Sequence, residues 1–305
     1  MNNITRLFQN YNSPMVSAQK KTRVLLFGSQ GLLGAQFLYD HEEEFEIIPL
    51  ARFHLDLLET EPIQGEVVKW KPDVVVNCAG WTAVDKAENP RFPEAVTTLN
   101  VTAPEEMALA CKKLKIPFFH LSTDFVFGGE NKETSFAEDA PKNPLSFYAR
   151  SKAEGEDAVL AAYAGTSIVR TAWLYGMYGG NFVTRVRQLA KSEREVRIVN
   201  DQYGNPTWAK YVGQSLALLI RDAGAKYAPG IYHAVSEVGN TPPSWYDFAA
   251  KIFSLKPVKT PLFPITSAEF EAAAVRPISS VLQNTKLPQL PKWDEMLTEY
   301  LQPQK

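Results

Sequence analysis

The stretch that most limits what this chain can fold into is Thr22 to Gly34, where an apolar run meets three evenly spaced glycines. Thr22 to Gly28 (Thr-Arg-Val-Leu-Leu-Phe-Gly) has the continuous hydrophobicity of a parallel strand buried on both faces. Ser-Gln30-Gly31-Leu32-Leu33-Gly34 follows directly, and Ala35 to Tyr39 continues as a helix. Each glycine has its own reason in such a turn: Gly28 makes the tight bend, Gly31 lets backbone approach a pyrophosphate, and Gly34 lets helix pack on strand. The helix N-terminus then faces the negative charge. The spacing is G-x-x-G-x-x-G rather than G-x-G-x-x-G, so the strand–loop–helix context carries the expectation of a nucleotide site.

Further units repeat the pattern. Phe45 to Ala51 reads as a second strand, Asp73 to Cys78 as a third and Pro117 to Thr123 as the next, with a mostly helical stretch from Arg91 to Leu114. Strands alternating with helices predict an α/β fold, a doubly wound parallel sheet with right-handed crossovers. Ligands in such sheets bind beyond the carboxyl ends of the strands. Gly28, Cys78-Ala79-Gly80 with Thr82 just beyond, and Thr123 all fall there. After the second strand, where NAD-binding folds place an acidic residue, stands Arg52, whose guanidinium suits a 2′-phosphate. NADPH is therefore expected, with NADH as the second option. Asp56 and Leu57 either lie against the adenine or belong to a capped turn.

Pro144 to Lys152 (Pro-Leu-Ser-Phe-Tyr-Ala-Arg-Ser-Lys) reads as the start of a helix, with Tyr148 and Lys152 four apart and so on one face. An ammonium beside a phenol is expected to lower its pKa, and such a pair exchanges protons with a carbonyl or alcohol. A strand follows at Ser167 to Trp173, a helix at Asn181 to Ala190, a strand near Val196 to Asn200, and an aromatic-rich loop at Asp201 to Trp208. Residues 22–176 are expected to be mainly dinucleotide-binding. Residues 177–305 are expected to form mainly a smaller substrate lobe, with some elements returning to the sheet.

A net charge of -2 with interspersed signs gives no reason to expect nucleic acid or membrane as a partner. No apolar run approaches the roughly 20 residues of a membrane span. Cys78 and Cys111 are too few for a disulfide framework, so a reducing, cytoplasmic setting is expected. Residues 1–21 hold Arg6, Lys20 and Lys21 but no acid, and read as a disordered tail, with a transit peptide as the alternative.

Taken together these stretches resemble the extended short-chain dehydrogenase/reductases, and within them the dTDP-4-dehydrorhamnose reductase group. The glycine loop and Tyr148-x-x-x-Lys152 are shared across the superfamily. The narrower pieces are Thr82-Ala-Val84-Asp85-Lys-Ala-Glu88, Leu121-Ser-Thr123-Asp-Phe-Val-Phe127, Arg170-Thr-x-Trp173-x-Tyr175-Gly176, Asp201-Gln-x-Gly-x-Pro-Thr207-Trp208 and Arg276-Pro-x-x-Ser280. The resemblance implies a Rossmann-type sheet and a catalytic triad of Thr123, Tyr148 and Lys152. NADPH would reduce the C4 ketone of dTDP-4-dehydro-β-L-rhamnose to give dTDP-L-rhamnose. Tyr148 would protonate the alkoxide, Thr123 would hydrogen-bond the same oxygen, and Lys152 would tune Tyr148 and hold the nicotinamide ribose. Val84, Trp173, Asn181 and Trp208 would line the substrate site. Some relatives bind a divalent metal at a dimer interface through a glutamate two residues after the third glycine; Gln36 stands there, so no metal is expected and that dimer is not carried over. A homodimer as such stays open. A 4,6-dehydratase would need an acid where Phe125 stands. The remaining alternatives are a reductase or epimerase of another nucleotide sugar, and an NADP-binding regulatory subunit like that of methionine adenosyltransferase.

Overall fold

Alternation within the first strand decides the layers. In β1 (Arg23–Phe27), Val24 and Leu26 enter one hydrophobic core while Leu25 and Phe27 enter another, and all four are buried. A strand buried on both sides must lie inside a sheet covered by helices on both faces. The computed structural model, which describes residues 20–130 and 134–302, shows that sheet. Apart from Lys20 and Lys21, the expected tail lies outside the described residues.

β1 is followed by β2 (Glu46–Leu50), β3 (Val74–Asn77), β4 (Phe118–Thr123), β5 (Thr166–Thr171) and β6 (Ile231–His233). All pair in parallel, and the order across the sheet is β2-β1-β3-β4-β5-β6. The longer helices are α1 (Leu32–His41), α2 (Glu61–Trp70), α3 (Ala103–Leu114), α4 (Phe147–Ala162), α5 (Phe182–Ser192), α6 (Ala209–Arg221), α7 (Trp245–Leu255) and α8 (Trp293–Leu301). Core residues of α2, α3 and α4 (Ile63, Val67, Met107, Cys111, Val159) join Leu25 and Phe27. Those of α1 and α6 (Phe37, Val212, Leu216) join Val24 and Leu26, and this second core runs on into α5, α7 and α8. β6 and α6 thus return to the sheet from the second half of the chain, which also carries a parallel pair, Val196–Val199 with Leu262–Ile265. Successive strands are added on one side of β1 (β2) and then on the other (β3 onward), and this switch between β1 and β3 puts a crevice beyond their carboxyl ends.

Three of the departures from the expected boundaries bear on the site. The helix expected over 91–114 is split into Pro93–Thr97, a π-helical turn Thr98–Thr102 and α3. α4 begins at Phe147, because Ser146 is its N-cap and accepts the Ala149 N–H at 3.2 Å. β5 ends at Thr171, and Trp173 lies beyond it in the left-handed region at φ 43°. A bulky residue there is strained backbone, held by its surroundings.

Candidate active site

The glycine loop has the shape a pyrophosphate needs. Gly28 has φ 73°, and a Cβ there would lie 2.6 Å from the Ala79 nitrogen, so only glycine joins β1 to this turn beside β3. A Cβ on Gly34 would lie 2.2 Å from the Gly28 carbonyl oxygen, which is the close approach expected of that position. Gly31 caps α1 at φ -70° with no side-chain hydrogen bond, leaving the first-turn N–H groups of Leu32, Leu33 and Gly34 without intrahelical partners. Those donors and the exposed Gln30 and Gly31 fit a phosphate, whereas the Leu33 side chain is core.

At the end of β2, Arg52 is 76% exposed and donates to Asp56 Oδ2 from Nε (3.2 Å) and Nη2 (3.1 Å). Asp56 also accepts the Leu58 N–H at 3.1 Å; that bond first, then Arg52, holds its carboxyl below the ordinary value. Asp56 therefore serves a capped turn, and Leu57 is buried in the core on the α2 side. Among the described residues Arg52 is tied through a surface pair alone, of the kind that contributes little.

The loop after β3 is held by a residue not singled out from the sequence. Asn100, buried in the π-helical turn, accepts the Trp81 N–H at 2.8 Å and donates to Ser151 Oγ at 2.9 Å. Ser151 in turn donates to the Tyr148 carbonyl at 2.8 Å. One side chain thus ties Gly80-Trp81 to the part of α4 that carries Tyr148 and Lys152, and a Cβ on Gly80 would approach Lys152 Nζ to 3.9 Å. A π-helical turn is a recurrent mark of a functional site and was the available signal, though it is invisible in hydrophobic spacing.

Tyr148 and Lys152 do share the buried face of α4. Their expected electrostatics do not hold. Burial pushes the Tyr148 phenol up to about 12, with a Thr123 hydrogen bond acting against the rise and Asp124 adding to it. Desolvation outweighs attraction because Lys152 Nζ turns elsewhere, to the Leu121 carbonyl at 2.8 Å and to within 3.4 Å of His120 Nε2. Burial brings Lys152 itself down to about 8, with Glu156 and Cys78 opposing. Burial also pushes the Cys78 thiol up to about 12. Thr123, half-buried at the end of β4, donates to Asp124 Oδ1 at 2.9 Å and accepts the Phe125 N–H at 3.2 Å. Asp124 is buried, accepts a further bond from Ser280, and is raised by burial to about 6.

Tyr148 belongs to a small apolar cluster with Val84, Trp81, Phe92, Phe125 and Phe147, so Val84 does face the same space. Thr82 is exposed in the loop before it. Glu88 accepts the Phe147 N–H at 2.7 Å, and Asp85 receives Arg276 at 2.7 Å, which explains two acids of that motif as supports for the site. Trp173 stacks face to face on Trp245 with centroids 3.5 Å apart. Two expected substrate residues are engaged otherwise. Asn181 caps α5, accepting the Thr184 N–H at 3.2 Å and donating to the Gly176 carbonyl at 2.8 Å. Trp208 is 2% exposed, packed edge-on against Tyr211 and Tyr300, so its ring belongs to the core.

Residues 22–305 match the family model described as the RmlD substrate binding domain. The chain is 38% identical over 296 residues to a dTDP-4-dehydrorhamnose reductase of Streptomyces griseus, covering 93% of this chain and 94% of that one. It is 35% identical over 285 residues to a probable dTDP-4,6-dihydroxy-2-methyloxan-3-one 4-ketoreductase of Streptomyces antibioticus, covering 91% and 94%. Among solved structures, a dTDP-4-dehydrorhamnose reductase of Bacillus anthracis in complex with NADP superposes with a TM-score of 0.85 at 32% identity, covering 92% and 98%.

Proposed function

The chain belongs to the RmlD family of extended short-chain dehydrogenase/reductases, and from that membership we propose that it is an NADPH-dependent oxidoreductase reducing the C4 ketone of dTDP-4-dehydro-β-L-rhamnose to dTDP-L-rhamnose. What supports this most is that Tyr148 and Lys152 lie on one buried face of α4, next to Thr123 at the end of β4, with Gly80 of the loop after β3 beside Lys152.

Residues 22–176 mainly bind the cofactor and the later part mainly the sugar nucleotide. The first turn of α1 with Gly28, Gln30, Gly31 and Gly34 holds the pyrophosphate, Arg52 the 2′-phosphate, and Ala79, Gly80 and Lys152 the nicotinamide end. NADPH, when bound, supplies the hydride. Tyr148 is protonated at neutral pH and gives its proton to the oxygen that gains charge as the ketone is reduced. Thr123 orients that oxygen and the phenol together. Lys152, brought down to about 8 by burial, restores the proton balance. Val84 and Trp173 bound the sugar. Among the described residues no helix is long and apolar enough to cross a membrane. With two unpaired cysteines, the setting we favour is the cytoplasm.

The test is NADPH oxidation with dTDP-4-dehydro-β-L-rhamnose, product identified, beside the ketone substrate of the Streptomyces antibioticus relative. Tyr148→Phe is expected to bind NADPH nearly as before and to turn over about a hundredfold more slowly. Preference for the second ketone would change the sugar assigned. NADPH binding without turnover of either would favour a regulatory protein on a reductase fold.

A further inference from the structure

Asn77 and His120 are register partners on β3 and β4, both buried, and none of the roles above uses either. Their hydrogen bonds fix where the imidazole proton sits. A backbone N–H can only donate, so the Asn77 atom that receives the Ala79 N–H, at 2.9 Å, is the carbonyl oxygen. The remaining side-chain atom is then the NH2, and it lies 3.1 Å from His120 Nδ1. An NH2 there requires a lone pair on Nδ1, which leaves the proton of the neutral ring on Nε2. The ring stays neutral, since burial and the Lys152 charge hold His120 well below its ordinary value. Nε2 points at Lys152 Nζ, 3.4 Å away, while Nζ donates to the Leu121 carbonyl at 2.8 Å. An N–H aimed at the lysine suits an amine lone pair and opposes a further ammonium proton.

We propose that His120 is a positioning residue for the reduction: Asn77 locks its proton on Nε2, and that N–H faces Lys152 Nζ and disfavours its ammonium form. The proposal rests on the role given to Lys152 above. Other groups facing the amine do not replace this effect. Glu156, one turn along α4, and Cys78, at the end of β3, both favour the ammonium. Glu156 is itself bound at both oxygens by Arg170, at 2.8 and 2.7 Å. The His120 N–H and burial therefore act together against Glu156.

The experiment titrates the Lys152 amine in the full chain by 15N NMR of lysine-labelled protein, assigned by loss of the signal in Lys152→Arg, beside the pH profile of kcat/KM. His120→Phe removes the N–H and is expected to raise the Lys152 titration by about one pH unit, tenfold in proton affinity, and the alkaline limb with it. His120→Gln accepts from Asn77 through its carbonyl, still offers an NH2 to Lys152, and is expected to keep both near their original positions. A Lys152 titration that falls or stays put in His120→Phe overturns the proposal. So does an imidazole 15N spectrum of the unsubstituted chain showing the proton on Nδ1, a readout that needs no variant to fold. A titration that moves while the pH profile does not keeps the His120–Lys152 coupling and overturns Lys152's place in the reaction instead.

Discussion

Asp124 shows how burial can reverse the ordinary behaviour of a carboxylate. It is raised from 3.8 to about 6 by desolvation, against hydrogen bonds from Ser280 and Thr123. A folded value above the unfolded one means the native state holds the proton more tightly. The stability this contributes is full below pH 4 and is lost as pH rises through about 6. Asp124→Asn should flatten that loss, so denaturant unfolding at pH 4.5 and pH 7 should differ less in the variant than in the unsubstituted chain, by about 2 kcal/mol at most. An unchanged difference would return Asp124 to its ordinary range. Arg52 makes a separate prediction: Arg52→Ala should weaken NADPH roughly 10- to 100-fold by direct binding and NADH far less, as loss of a charged hydrogen-bond partner does. Residues of this kind were legible to different degrees. Gly28, Tyr148, Lys152 and Arg52 carry their chemistry in residue type and spacing. His120, Asn77 and Asn100 do not, because their meaning lies in partners 19 to 51 positions away, such as Trp81, His120 and Ser151. The Tyr148 expectation failed for a related reason: spacing shows that two side chains share a helix face, but not which way an ammonium turns or how deeply a phenol is buried.

At the scale of elements, the alternation of apolar runs with helices was enough to foresee β1, β3, β4 and the doubly wound sheet, since strands buried on both faces are hydrophobic throughout. The interruption before α3 was not foreseeable, because it is imposed by packing against α4. Gly155 lies inside α4, where an exposed glycine would be destabilising by about 1 kcal/mol relative to alanine. Here a Cβ would come within 2.0 Å of the Asn100 carbonyl oxygen. Gly155→Ala should therefore lower stability, by about 1 to 3 kcal/mol, instead of raising it. It should also weaken NADPH binding, since displacing Asn100 releases the Gly80-Trp81 loop. Thermal unfolding and cofactor titration check both halves; a stabilised variant would mean that the π-helical turn and α4 can separate without cost.

At the scale of the molecule, the two halves of the chain meet along the segment from Ala274 to Thr285. Arg276 binds both carboxylate oxygens of Asp85, at 3.1 and 2.7 Å, and the Ala274 N–H adds a bond to Oδ1 at 3.1 Å. Further on, Gly129 and Ser279 exchange backbone bonds, Ser280 reaches Asp124, and the Thr285 N–H donates to Glu138 at 3.1 Å. Asp85 follows Val84 directly, so this strap fixes the segment that we propose faces the sugar. The Asp85 carboxyl lies below its ordinary value, first because of Arg276, so the stability of the pair is present above the unfolded value and lost as pH falls through the folded one. Asp85→Asn keeps the shape and removes the charge. Its side chain is 46% exposed and that of Arg276 17%, which limits the pair to about 1 kcal/mol, roughly fivefold in an equilibrium. That loss should fall on KM for the sugar nucleotide, with kcat and the NADPH dissociation constant changed less, and added salt should narrow the gap between variant and unsubstituted chain. An equal loss in NADPH affinity would mean the strap braces the whole carboxyl edge of the sheet, and the division of labour between the halves would have to be redrawn.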